Sequence, residues 1–429
     1  MKRTQTPSIP IPRTALLTAG VVCTCVVVSH IFGRFSFSIL LPALRDDLVD
    51  SDTAAGTLGA TYFAGYMLGV LAVTIVSSRT EPTTLMRAGL GFSVVALVIL
   101  AGALDVSELA IGLPLAGFAG AGIWITAPSI ATGRVPTERR GAVLGALTAS
   151  MGMGMLIVSQ GTSLLRKLLD DEGAWRPIFG IEAALTTVIL TAALVFLRPT
   201  LTRPTVTPPT SGAPTSAATK PATDRPVLFS TQDLRSIPGW ALLTLCYTLY
   251  STLAGSWAQF LGLALRQDAG YGSFHVNNLF SVFAVAGVVG PLTLGRVSDR
   301  IGRNLTIVIA CMLSTIASFV LLIGSEPWST IAVAAYGAGS FGLPVLVAAA
   351  VRDHLDNQAF GTAFGAMTIL YGIGSLGASQ LAGYLADRTG SFDIVYLLLA
   401  AMAILSGAAA LVREASMRRD PAGTTLATN

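Results

Sequence analysis

Charge is what this chain has least of. Asp, Glu, Lys and Arg make up only 12% of its 429 residues, against 52% hydrophobic, whereas soluble domains run near 25% charged. That scarcity excludes an ordinary water-soluble domain and points to a chain solvated by lipid. Histidine is scarcer still. His30, His275 and His354 fall in three separate segments, which leaves no nucleophile–base pair and no metal-ligand set. No G-x-x-x-x-G-K-[ST] loop occurs, so the chain has no phosphate cradle for hydrolysing ATP itself. The four cysteines, Cys23, Cys25, Cys246 and Cys311, all lie inside apolar runs and read as packing thiols. The net charge of +4 is scattered among loops with no zinc-finger or aromatic-plus-basic module, which argues against a nucleic-acid partner. Neither an enzyme nor a resident cofactor is expected.

Long apolar runs are abundant. A membrane span needs about 20 apolar residues. The first half offers six such runs: 14–41, 53–77, 83–104, 107–133, 141–165 and 176–197. The second half offers six more: 238–265, 275–297, 304–323, 328–351, 360–386 and 392–412. The first is too long for a signal-peptide core and is expected to be retained. Between the halves, Pro199–Pro226 holds seven prolines and eight threonines and cannot bury enough surface to fold. Gln232–Pro238 is expected as a short surface helix. The expected organisation is a tail (1–13), a six-helix bundle (14–198), a Pro/Thr-rich linker (199–237), a second six-helix bundle (238–412) and a tail (413–429).

Orientation follows from the basic residues. With the N-terminus cytoplasmic, that side receives 20 of the 27 Lys and Arg residues. The other side receives Arg45, Arg166, Lys167, Arg176, Arg266 and Arg388, and Arg34 lies within a span. Both termini are therefore expected in the cytoplasm.

The densest charge between two apolar runs is Gly295–Arg303, reading G-R-V-S-D-R-I-G-R. It is expected as a tight loop at the membrane surface. Gly295 and Gly302 would allow close approach and a sharp turn, and Asp299 would sit among Arg296, Arg300 and Arg303. The halves echo each other: Gly141 and Gly145 open the fifth span as Gly361 and Gly365 open the eleventh. Such spacing lets helices approach closely in lipid and suggests paired repeats.

The Gly295, Asp299, Gly302 and Arg303 pattern resembles the loop motif of the major facilitator superfamily, G-x-x-x-D-x-x-G-R plus a basic residue. Here that last position is Asn304. Gly372-Ile-Gly374-Ser-Leu-Gly377, running on to Gly383-Tyr-Leu-Ala-Asp387-Arg388-Thr-Gly390, resembles the family's eleventh span and its exit. Gly33-Arg34-Phe35 followed by Leu41-Pro42-Ala43-Leu44-Arg45-Asp46-Asp47-Leu48 resembles the first span of the YbfB-like branch. The resemblance implies an all-α membrane protein with 12 transmembrane helices in two bundles, working as a monomeric secondary transporter. Two departures qualify it. The loop 77–87 lacks the Asp-centred motif and carries Arg79, Glu81, Pro82 and Arg87. The glycine-rich stretch Gly145–Gly161 has no proline, so the signature of drug–proton antiporters is missing.

Intramembrane charge is expensive and usually functional. Arg34 is the leading candidate for pairing a substrate carboxylate with bidentate geometry. The alternatives are an ion pair with Glu182 and snorkelling to the surface. Glu182, the only acid well inside a predicted span, and His30, four residues before Arg34, are the candidates for proton coupling. Tyr66 and Gln259 are the preferred cavity-lining residues, followed by Tyr62, Trp124 and Tyr250. Asn277 and Asn278 lie too near the outer surface to rank with them. The expected function is transport of a small organic solute, plausibly anionic, by alternating access in a cell membrane, driven by an ion gradient with protons first. The runner-up is proton-driven efflux of drugs or metabolites. An intramembrane enzyme and a non-transporting receptor are the rivals; scattered histidines oppose the first, and the lack of a folded soluble portion opposes the second.

Overall fold

The computed structural model describes residues 13–77, 79–133, 135–171, 173–197, 231–355 and 357–419. Most of the expected linker and of the two tails lies outside the described residues. Among those described, the regular elements are helices. Helices are the form that bonds every backbone group within its own segment in hydrocarbon.

The first half comprises α1 (Arg13–His30), an irregular turn (Ile31–Phe35), α2 (Ser36–Asp47), α3 (Asp52–Val76), α4 (Pro82–Gly102), α5 (Val106–Thr132), α6 (Thr137–Leu169) and α7 (Arg176–Phe196). A short α8 (Thr231–Arg235) stands where a surface helix was expected. The second half comprises α9 (Trp240–Gln267), α10 (Ser273–Ile301), α11 (Arg303–Leu321), α12 (Trp328–Ser340), α13 (Gly342–Arg352), α14 (Asn357–Thr389) and α15 (Asp393–Arg419). Ten helical segments are long and apolar enough to cross a membrane, counting α1 to α2 and α12 to α13 as one each. α9 and α14 are equally long, at 28 and 33 residues, but less apolar. They run through protein rather than along lipid, and bury Ser251, Ser256, Gln259, Ser375 and Ser379.

Local signals set the helix ends. Ser51 caps α3 by accepting from the Ala54 amide at 3.0 Å. Asp105 caps α5 by accepting from the amides of Ser107 (2.7 Å) and Glu108 (3.3 Å). The Ser107 hydroxyl and these amides hold the Asp105 carboxyl below the usual carboxylate range. In the loop that lacks the Asp-centred motif, Arg87 serves structure: it donates to the carbonyls of Ala193 and Leu197 at the end of α7, where orphan acceptors and the helix dipole favour a cation.

Helices α1–α7 pack as one bundle and α9–α15 as another, and the two meet through α3 against α14, α6 against α10, and α2 against α9. At the α3–α14 seam the backbones nearly touch. A Cβ on Gly383 would lie 2.1 Å from the Asp52 carbonyl oxygen, so no larger residue fits.

Two expectations about glycine are corrected. The stretch Gly295–Ile301 is a helical continuation of α10, and only Gly302 (φ 93) makes the elbow into α11. At 29 residues, α10 outreaches the hydrocarbon core of about 30 Å, so its charged last turns project into water as helix. Nor do Gly295, Gly141, Gly145 and Gly365 make close contacts: a Cβ at any of them would meet nothing within 4 Å. Gly141, Gly145 and Gly365 lie toward the face that carries Arg13 and Arg419, hereafter the basic face. Among the described residues, the side-chain hydrogen bonds between the bundles run along the other half of the interface.

Asp299 does find a basic partner, Arg303, at 3.2 Å. Arg303 also reaches Asp353 (3.3 Å) and the Ser298 hydroxyl (2.9 Å). Asn304 has a use of its own: it donates to Glu414 at 2.8 Å and accepts from the buried Arg413 of α15. A cation there would repel Arg413.

Candidate functional site

The first span is broken near its middle. Phe32 (φ −66, ψ 137) and Gly33 (φ 78, ψ −47) leave helical geometry. Only glycine adopts such a φ without cost, and a Cβ on Gly33 would also lie 3.0 Å from the Ala116 Cβ. Discontinuous helices leave backbone groups free at mid-membrane and mark solute sites in transporters.

Chemistry gathers on two sides of this break. Behind it, Glu182 of α7 is 3% exposed, accepts from the Ser36 hydroxyl and lies against the backbone amide of Gly33. In front of it, Arg34 reaches into the other bundle and donates to the Ala254 carbonyl at 3.1 Å. Its guanidinium carbon lies 5.2 Å from the Phe35 ring centre and 5.0 Å from that of Phe63, within cation–π range. The Arg34–Glu182 pair considered from sequence is therefore not formed, and Arg34 does not snorkel. Among the described residues, Arg34 has no carboxylate partner within 4.0 Å.

Most of the other candidates surround Arg34. Tyr62 donates to the Ser29 carbonyl at 3.3 Å. Tyr66 lies within electrostatic reach of Arg34, Tyr62 and Tyr371. The Tyr371 ring packs 4.5 Å from that of Tyr247. His30 pairs its Nδ1 with the Ser29 hydroxyl at 2.8 Å and tilts against Trp124, ring centres 4.3 Å apart. Gln259 sits at the edge, donating to the Ala55 carbonyl (3.3 Å) and accepting from Ser379 (3.0 Å). It stitches the bundles together beside the site.

Tyr250 is not part of the site: its hydroxyl pairs with Ser314 at 2.9 Å inside the second bundle, where it is 1% exposed. Phe35, Phe63 and Tyr336 belong near Arg34 but went unnoticed in the sequence. An aromatic ring inside an apolar run looks like packing until its neighbours are known. Nothing in the described residues could hold a metal ion by a cluster of three His, Cys, Asp or Glu side chains.

The cavity at Arg34 is nearly closed. Lined by Arg34, Phe35, Tyr62, Phe63 and Gln259 among others, it has a volume of about 20 Å³, room for about one water. Its walls are held shut from the face opposite the basic one. Asp387 of α14 accepts from the amides of Asp52 (2.9 Å) and Thr53 (2.7 Å), placing a carboxylate on the N-terminus of α3. Ser379 donates to the Gly56 carbonyl at 2.9 Å. Arg266 pairs with Asp46 at 3.0 Å, and Gln160 donates to Ser281 at 2.6 Å.

The comparisons with known proteins agree with this architecture. The chain is 25% identical over 247 residues to the multidrug resistance protein MdtG of Salmonella choleraesuis (strain SC-B67), covering 57% of this chain and 56% of that one. It is 26% identical over the same length to MdtG of Salmonella typhi. The match thus spans about half the length of these curated relatives. Among solved structures, the nucleoside transporter NupG superposes with a TM-score of 0.70 at 12% identity, covering 94% of this chain and 99% of that one. A bacterial homologue of the lysosomal transporter Spinster, in an inward-facing and unoccupied conformation, gives 0.67 at 14% identity, covering 95% and 98%. At such identities these likenesses concern the fold. A family model described as Major Facilitator Superfamily matches residues 23–379, and with the broken first span and two packed bundles this makes the chain a member of that superfamily: a multi-pass membrane transporter, not an enzyme.

Proposed function

We propose that this transporter moves a small organic anion by alternating access, with Arg34 as the anion-binding group. The observation that carries the reading is an intramembrane guanidinium with no acidic partner among the described residues and one backbone carbonyl in its place. A carboxylate offers the same acceptor atom with charge, and a second oxygen for a bidentate fork. Phe35, Phe63, Tyr62 and Tyr66 supply an apolar wall with polar tips, suited to a solute that joins an anionic group to an apolar body.

In this reading all twelve helical segments span, both termini face the cytoplasm, and the membrane is a bacterial-type cell membrane. The shut face is then the outer one, and the conformation corresponds to the inward-facing form of the Spinster homologue. Glu182 is the proton site. It holds Ser36 and faces Gly33 across the break, so a change of its charge acts on the segment that aims Arg34.

A second reading, proton-driven efflux of apolar compounds, draws support from the MdtG relatives. One experiment separates the two. Small organic anions, cations and neutral solutes are screened for thermal stabilisation of the wild type and Arg34→Ala; a ligand at a hundred times its Kd adds about 2.7 kcal/mol. Stabilisation by carboxylates that disappears in Arg34→Ala supports the anion site. Equal stabilisation of both proteins by apolar cations overturns it in favour of efflux.

A further inference from the structure

The largest opening in the molecule is not at Arg34. A cleft of about 500 Å³ lies between α6 and α10 at the face opposite the basic one. Its floor is the row of bonds that joins the bundles: Gln160 to Asn278 (3.1 Å) and Asn277 to Ser163 (2.9 Å). Its walls carry both signs of charge, Lys167 on one hand and Asp170 with Asp171 on the other. Asp170 is held at the rim by a left-handed turn (φ 50) that ends α6.

A second observation points to a ligand. Asn277 lines this cleft and is 1% exposed, and its Oδ1 has no hydrogen-bond partner. A buried amide oxygen left unpaired is costly, so this wall presents an acceptor awaiting a donor. The cleft also opens sideways. Leu164 and Phe274 line it yet are 59% and 66% exposed, and Leu168 beside them is 71% exposed. Large apolar side chains so placed on a membrane-spanning helix face acyl chains.

We propose that this cleft binds the zwitterionic headgroup of a phospholipid bearing a primary ammonium. The phosphate sits against Lys167. The ammonium donates to the Asn277 Oδ1 and is drawn by Asp170 and Asp171, while the acyl chains lie over Leu164 and Phe274. A choline headgroup has no N–H to give Asn277, and a glycerol headgroup has no cation for the aspartates. Because Lys167 and Asp170 belong to one bundle and Asn277 to the other, the bound headgroup bridges them and favours the conformation with this face shut. The inference is independent of what Arg34 binds.

The test uses the full-length protein in mixed micelles and counts retained lipid by native mass spectrometry. Phosphatidylethanolamine is offered against phosphatidylglycerol and phosphatidylcholine, to the wild type and to the variant Lys167→Ala/Asp170→Ala. Both positions are exposed, so folding is spared. The expected result is preferential retention of phosphatidylethanolamine by the wild type, weakened about fivefold in the variant, as losing exposed ionic contacts implies. Soluble glycerophosphoethanolamine should compete poorly, since it lacks the chains. Equal retention of phosphatidylglycerol, or undiminished preference in the variant, overturns the proposal. Full competition by the soluble compound also overturns it, and would make the cleft a site for a free zwitterion.

Discussion

The Asp387 carboxylate receives the backbone amides of both Asp52 (2.9 Å) and Thr53 (2.7 Å), so the last turns of one bundle's helix cap the first turn of the other's. Arg45 adds to the same corner by donating to Asp52 at 3.2 Å and to the Val49 carbonyl at 2.8 Å. The corner works as a latch because opening this face strips a helix terminus of its cap and a carboxylate of its donors together.

Removing the latch should therefore open that face. Asp387→Ala deletes two charge-assisted hydrogen bonds, each worth about 1.5–3 kcal/mol before water takes over the exposed groups. Spin labels on the neighbouring ends of α3 and α14 should report a second, longer distance, populated at least about tenfold more than in the wild type. An unchanged distance distribution would leave the latch without a role.

Straightening the first span should cost function more than folding. Gly33→Ala imposes about 1–2 kcal/mol of left-handed strain and presses on the Ala116 methyl, 3.0 Å from the new Cβ. The variant is expected to insert and purify while ligand stabilisation falls, since Arg34 loses its aim. Wild-type ligand response in a purified Gly33→Ala protein would contradict the role given to the break.

Two tyrosines offer a contrast within one experiment. Tyr66→Phe should weaken solute binding about threefold to tenfold, the worth of one neutral hydrogen bond, with little change in stability. Tyr250→Phe should do the reverse, costing about 1 kcal/mol through the lost partner of Ser314 while leaving affinity alone. Calorimetric affinity and melting temperature, measured on both variants, check the pair.

Glu182→Gln keeps a hydrogen-bonding group beside Ser36 but cannot titrate. If Glu182 carries the coupled proton, the variant should still exchange solute across vesicles yet fail to accumulate it against a gradient. Accumulation at the wild-type level would assign the proton elsewhere.

Much of this was legible in the chain, and the exceptions have physical causes. Span positions followed from the length of apolar runs, because lipid leaves helices no alternative, and α7 starts at Arg176 as read. Arg34 stood out since charge inside such a run has few bland explanations. What could not be read was direction. Arg34 and Glu182 look like partners along the sequence, yet the turn at Gly33 sends Arg34 toward α9 while Glu182 bonds to Ser36. Tyr250 and Tyr66 are indistinguishable as letters; only the facing helix decides which meets Ser314 and which nears Arg34. The Gly295–Ile301 stretch was mistaken for loop because charge density signals water but does not say whether the wet segment is helical.

The hydrogen bond from Arg34 to the Ala254 carbonyl sets a standard that any cargo must beat. The protein's own backbone acts as a placeholder, keeping the cation satisfied during the empty return trip, when a bare guanidinium would otherwise stall the rocking of the bundles. A solute must evict that placeholder to be recognised, so neutral molecules that merely match a peptide carbonyl gain nothing by entering. Selectivity for charge would then be enforced by competition from within the chain, and tight binding would be sacrificed for turnover.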